Sequence, residues 1–262
     1  MALPGARVSA GIRLRPSLRR GVLSVAIAFL AWEVVARLFF VSAVLPAPSV
    51  ILREFVAHAR SGQLGLDVVY SLRRVLVGFA AGSALGMTLG LAMGAVGPVR
   101  RLLEPLVQFF RFIPPIAWLT PVLIWFGIGE NGKYVLIIYT TTFMVTLNTF
   151  AGVLAVPVNR LRAARCLGAR RWQLFAYVIV PATLPFVLTG MRIGMGNSFQ
   201  TLIVAEMLAA NEGLGHLIMN GRTQLSTELI FVGVLTLGII GLATDAAFQR
   251  LVRAVAWRYQ QT

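Results

Sequence analysis

The sequence has a single cysteine, Cys166, so no disulfide can form within the chain. Its two histidines, His58 and His216, are too few for a histidine-rich metal centre. Both fall in stretches read as outer loops, so neither offers a base for a Ser/His/Asp triad. Lys133 is the only lysine, and nearly all of the basic charge is arginine. Charged residues of either sign make up 13% of the chain, well below the ~25% usual in soluble domains. No G-x-x-x-x-G-K-[ST] phosphate loop occurs, which excludes that route to ATP hydrolysis.

What the chain does have is apolar length. Of its 262 residues, 58% are hydrophobic, and the mean hydropathy is +0.80. Six stretches reach the roughly 20 apolar residues that a membrane-crossing helix needs. They are 21–41, 69–96, 105–127, 134–156, 184–209 and 229–251. This predicts an all-α polytopic membrane protein with one six-helix domain over 21–251. An arginine-rich tail precedes it (1–20) and a short tail follows (252–262). Arginines before the first stretch and "VSA" after it also fit a cleaved signal peptide. Against that, the apolar run is long, and Glu33 and Arg37 stand four apart, where they can pair on one helix face.

The net charge of +15 is distributed unevenly. With the N-terminus inside, the cytoplasmic segments carry Arg7, Arg13, Arg15, Arg19, Arg20, Arg100, Arg101, Arg160, Arg162, Arg165, Arg170, Arg171, Arg250, Arg253 and Arg258. The outer segments carry Arg53, Arg60, Arg73, Arg74, Lys133 and Arg222. This is the positive-inside asymmetry of a membrane protein with both termini cytoplasmic. It accounts for the charge without nucleic acid.

Four features stand out along the spans. Gly78, Gly82, Gly86, Gly90 and Gly94 recur every fourth residue in the second span and trace a groove for a neighbouring helix. The groove serves fixed packing, a surface that slides during transport, or both. Arg111 and Arg192 lie about two turns into spans three and five, at a depth where charges face protein or water. They form either structural ion pairs, with Asp245 as the partner by depth, or an electropositive path for a small anion. Asn197 and Ser198 offer an amide and a hydroxyl to such a path. At the outer end, Glu206 is placed to pair with Arg73 or Arg74.

Between spans four and five lies "RAARCLGARRWQLFAYVIVP" (162–181). Leu161, Ala164 and Leu167, then Leu174 and Phe175, give a helical apolar face. Gly168 predicts a turn between two short helices, and Pro181 the start of the next span. Periodicity leaves two readings, a surface lying on anionic lipid headgroups and a protein-docking element.

The same segment resembles the cytoplasmic EAA motif of permease subunits from binding-protein-dependent ABC importers. That motif reads E-A-A, three residues, G, nine residues, I-x-L-P. Ala163, Ala164 and Gly168 match it, and Val178, Val180 and Pro181 take the apolar and proline places. Arg162 stands where the motif has glutamate, so no acidic contact is expected there. The likeness runs from about 45 to 253. "LPAPSVIL", "FRFIPPIAWLTPVLIWFGIGE" and "LTGMRIGMGNSFQTLIVAEML" are similar to the nitrate, sulfonate and taurine branch. The resemblance implies a type I importer permease fold whose 157–181 segment is a coupling helix. Its ATPase-coupling residues would be Arg162, Ala163, Ala164, Gly168, Ala169 and Pro181. It also implies two ATP-binding subunits that hold ATP–Mg, an extracytoplasmic binding protein, and a second permease copy. This chain itself would carry no cofactor and catalyse no reaction. The implied cargo is a sulfonate, taurine or nitrate. A thiamine-precursor pyrimidine or another small organic solute is the alternative. A passive channel and an intramembrane enzyme are the readings from other classes, separated by whether transport depends on an ATPase.

Overall fold

The computed structural model describes residues 15–40 and 44–256, and every regular element among them is helical. Arg7, Arg13 and Arg258 of the two tails, and the 41–43 stretch after the first span, lie outside the described residues.

Small residues decide which helices meet. Helix α3 (Gln63–Ala95) turns its glycine face onto α6 (Glu130–Leu154). The two run parallel in one register, Gly78 against Ile137, Gly82 against Thr141, Gly86 against Val145, Gly90 against Thr149 and Gly94 against Val153. Thr142 adds a hydrogen bond from its hydroxyl to the Gly82 carbonyl, 3.3 Å. On its other side α6 meets α9 (Val180–Ala209) antiparallel, where Gly190 and Gly194 of α9 and Gly152 of α6 allow the close approach. Thus α6 forms the centre of the bundle. Helix α11 (Thr227–Ala256) closes it at one end through a core of Ile51, Leu64, Leu214, Leu217, Leu229 and Val232.

The first helix, α1 (Arg15–Phe39), has 25 residues, enough at about 1.5 Å each to cross a ~30 Å hydrocarbon layer. Its Glu33 and Arg37 pair at 2.6 Å. Glu33 also accepts the Ser49 N–H (3.0 Å) and hydroxyl (2.7 Å). A carboxylate is thereby set on the first turn of α2 (Pro48–Arg60), where the helix dipole favours it.

Four expectations need correction. The third span is not one helix. Helix α4 (Gly97–Phe110) starts earlier than expected, and a 3₁₀ turn (Pro115–Trp118) leads into α5 (Leu119–Phe126), the two arms bent by 91°. Pro114 and Pro115 are the cause, because neither has an N–H for the helical ladder. The fifth span does not begin at Pro181. It begins at Arg171 and runs unbroken for 39 residues to Ala209. A π-helical turn (Leu174–Ile179) carries it past the proline, with the Val180 N–H reaching back five residues to the Phe175 carbonyl. The second span starts at Gln63, earlier than the expected 69, and takes in Asp67, which is buried and bonded to the Gly213 N–H. Finally, neither histidine lies in a loop: His58 is in the last turn of α2, and His216 is in a short helix, α10 (Leu214–Thr223).

Candidate translocation cavity and its flanking elements

The break in the third span opens a cavity of about 370 Å³ between the α4–α5 corner, α6 and α9. Its polar lining is Arg111, Tyr139, Thr140, Asn197, Gln200 and Thr201. Arg111 follows the last residue of α4, where a cation complements the helix dipole. Its guanidinium carbon lies 4.6 Å from the centre of the Phe112 ring, and among the described residues no carboxylate comes within 4 Å. Thr140 donates to the Leu136 carbonyl (3.1 Å) and lies 2.9 Å from the Thr201 hydroxyl, which ties α6 to α9 across the cavity wall.

The four pathway candidates separate. Arg111 and Asn197 are on the cavity wall. Ser198 is fully buried, 2.7 Å from the Thr141 hydroxyl, and belongs to the α6–α9 contact. Arg192 makes a two-pronged pair with Asp245 at 2.9 and 3.1 Å, and Asp245 also accepts from Gln249 at 2.6 Å. Tyr139, Thr140, Gln200 and Thr201 were not singled out from the sequence. A signal existed for Gln200, since it stands three residues after Asn197, on the same helix face.

Toward the end of the bundle that carries α10 lies a charged cluster. Buried Arg74 donates to Glu206 (2.7 Å), to both Glu130 oxygens (2.6 and 2.7 Å) and to the Glu212 carbonyl (2.7 Å). Glu206 is 0% exposed. It also accepts from Ser71 and from the Gly215 N–H (2.9 Å). Lys133 reaches Glu130 at 2.8 Å, and Asp67 accepts the Gly213 N–H at 2.8 Å. Gly213 has φ +118°, and the Glu206 carboxylate occupies the space a Cβ would need. Five charged side chains from α3, α6 and α9 are thus tied to one another and to two backbone groups of the 210–213 turn.

At the opposite end, α7 (Val158–Cys166) closes in a Schellman motif. The Gly168 N–H bonds the Arg165 carbonyl (2.9 Å) and the Ala169 N–H the Ala164 carbonyl (3.0 Å), with Gly168 at φ +82°. The Gln173 side chain then accepts the Arg170 N–H (2.7 Å) and starts the short α8 (Arg171–Gln173). Arg162 and Ala163 are exposed. Leu167 is 89% exposed, and Trp172 and Tyr177 also face outward. Ala164, Leu167, Gly168, Ala169 and Tyr177 border a shallow cleft there, while Pro181 sits partly buried in the second position of α9.

Compared with known proteins, residues 82–259 match the family described as "Binding-protein-dependent transport system inner membrane component". The chain is 36% identical over 248 residues to the taurine transport system permease protein TauC of Escherichia coli, covering 91% of this chain and 90% of that one. It is 33% identical over 254 residues to the putative aliphatic sulfonates transport permease protein SsuC of Bacillus subtilis, covering 94% and 92%. Among solved structures, a bacterial alginate ABC transporter in complex with its alginate pentasaccharide-bound periplasmic protein aligns with a TM-score of 0.62. The alignment covers 95% of this chain and 99% of that one at 15% identity, a likeness of fold.

Proposed function

Because the chain belongs to the family of inner-membrane components of binding-protein-dependent transport systems, we propose that it passes a small anion inward through the cavity beside Arg111. The anion is a sulfonate, taurine or nitrate. The chain is a membrane-embedded permease subunit of an ABC importer. It pairs with a second copy, with two ATP-binding subunits on the arginine-rich side and with a binding protein on the other. Both termini and the 157–181 segment face the cytoplasm. ATP–Mg is held and hydrolysed in the partner subunits, and this chain supplies the path.

The observation that carries the reading is the guanidinium of Arg111 on the cavity wall with no carboxylate beside it among the described residues. At membrane depth an arginine without a protein counter-charge is costly unless an anion or water meets it. Asn197 and Gln200 add neutral amide donors, which suit an oxyanion that must bind briefly and leave. Hydrogen bonds to charged groups contribute about 1.5–3 kcal/mol, so Arg111→Ala is expected to slow ATP-driven uptake by about tenfold to a hundredfold. Arg111→Lys, which keeps the charge, recovers part of the rate. Uptake into proteoliposomes holding the whole complex measures this. An Arg111→Ala complex that assembles and transports sulfonate, taurine and nitrate as the unaltered one does would falsify the anion path.

The exposed α7–α8 corner is the ATPase-docking element in this reading. Gly168 has open space at its Cβ, so backbone conformation, not crowding, limits substitution. A leucine there must adopt the left-handed region at a cost of roughly 1–2 kcal/mol or reshape the corner. Gly168→Leu is expected to insert normally but to lose ATPase association or ATP-driven uptake. Gly168→Asn, which tolerates that conformation, stays close to the parent. If the segment instead only lay on headgroups, Gly168→Leu would be silent and Gly168→Asp would weaken membrane attraction. Co-purification and uptake distinguish the two.

A further inference from the structure

The corner in the third span has a missing hydrogen bond and a replacement for it. In an unbroken helix the N–H of residue 114 would bond the Phe110 carbonyl, and the N–H of residue 115 the Arg111 carbonyl. Prolines at both positions remove both donors. The Phe110 carbonyl instead receives the Tyr139 hydroxyl at 2.6 Å, besides the Ile113 N–H at 3.0 Å. The same hydroxyl lies 3.1 Å from the Ile113 carbonyl. One O–H is thus shared between the two carbonyls that bracket Arg111 and Phe112. Away from water such carbonyls need a partner, and non-helical backbone persists only where protein or a wet cavity satisfies it.

Tyr139 is well placed to hold this corner still. It projects from α6, the central helix. Its ring packs against Phe143 at 4.9 Å and Trp118 at 6.0 Å between centres. Tyr139 lines the same cavity as Arg111. We infer that Tyr139 is a positioning residue of the transport path: its hydroxyl pins the proline corner and so fixes where the Arg111 guanidinium sits on the cavity wall. The inference rests on the cavity reading given above, and its test separates the two.

Tyr139→Phe removes one oxygen and keeps the ring contacts. The test uses the assembled complex with its ATPase and binding protein, with Cys166→Ser removing the native thiol. Arg111→Cys and Asn197→Cys are labelled separately with a negatively charged methanethiosulfonate, each with and without Tyr139→Phe. The labelling rate at 111 is expected to change by about fivefold, the scale of one net hydrogen bond, while the rate at 197 on the facing helix stays the same. In uptake, Tyr139→Phe alone should slow transport by a similar factor and add nothing in an Arg111→Ala background. Unchanged labelling at 111, an equal change at both positions, or failure to assemble overturns the pin. Independent, multiplying losses in uptake overturn it too, because they give Tyr139 a role apart from Arg111. A shift in labelling at 111 with normal uptake in both Tyr139→Phe and Arg111→Ala upholds the pin and overturns the cavity reading.

Discussion

Replacing Arg74 by methionine is expected to destabilise the protein by about 3–5 kcal/mol, the usual cost of breaking a buried ion pair from one side. The size follows from what is left behind. Glu206 has no exposure and would lose the only cation that contacts it among the described residues. The Glu212 carbonyl would lose its Arg74 donor. Glu130 fares better, because it is 48% exposed and keeps Lys133. The double variant Arg74→Met with Glu206→Gln should therefore recover a large share of the loss, since residue 206 then no longer carries a charge that has lost its partner. Thermal unfolding of the detergent-purified protein, followed by loss of its monodisperse peak, checks both. Equal stability of Arg74→Met and the parent would rule out a structural role for the cluster.

The second large effect is expected at Gly86. A Cβ there would lie 2.7 Å from the Thr142 carbonyl oxygen and 2.8 Å from the Val145 Cβ. Neither atom can swing away, because one is helix backbone and the other is fixed to it. Overpacking alone costs about 1–3 kcal/mol, and Gly86→Leu should reach or pass the upper end because the two helices must separate. Gly65→Leu, on the same helix with open space around its Cβ, serves as the control and should leave stability within about 0.5 kcal/mol. If the two variants fold in equal yield, the α3–α6 seam does not hold the bundle together.

Much of the bundle could be read from residues alone. Spacing of four between glycines identified the face of α3 that meets a neighbour, though not that α6 was the neighbour. Depth within the spans was enough to match Arg192 with Asp245 and to narrow the partner of Glu206 to Arg73 or Arg74, of which Arg74 makes the pair, because charges in a membrane seek partners at their own level. The third span misled because Pro114 and Pro115 are flanked on both sides by apolar residues, and apolar composition does not report direction. Pro181 misled in the opposite sense. A proline signals a helix start, yet a π turn one residue upstream absorbs it. Tyr139 and Thr140 carry no sequence signal of their own, since their roles depend on which carbonyls and hydroxyls α4 and α9 bring to them.

The constant register between α3 and α6 has a mechanical consequence. A slide along the axis would move the β-branched side chains of α6, Ile137, Thr141, Val145, Thr149 and Val153, off the glycines that now admit them. The two helices are therefore keyed together and translate as one strut. At about 1.5 Å per residue, the 25 residues of α6 span roughly 37 Å. One end of that strut leads directly into α7, and the other carries Glu130 in the Arg74 cluster. A displacement applied at the α7 corner is thus delivered at the far end with little loss to bending, and the glycines act as the keyway that makes the strut stiff.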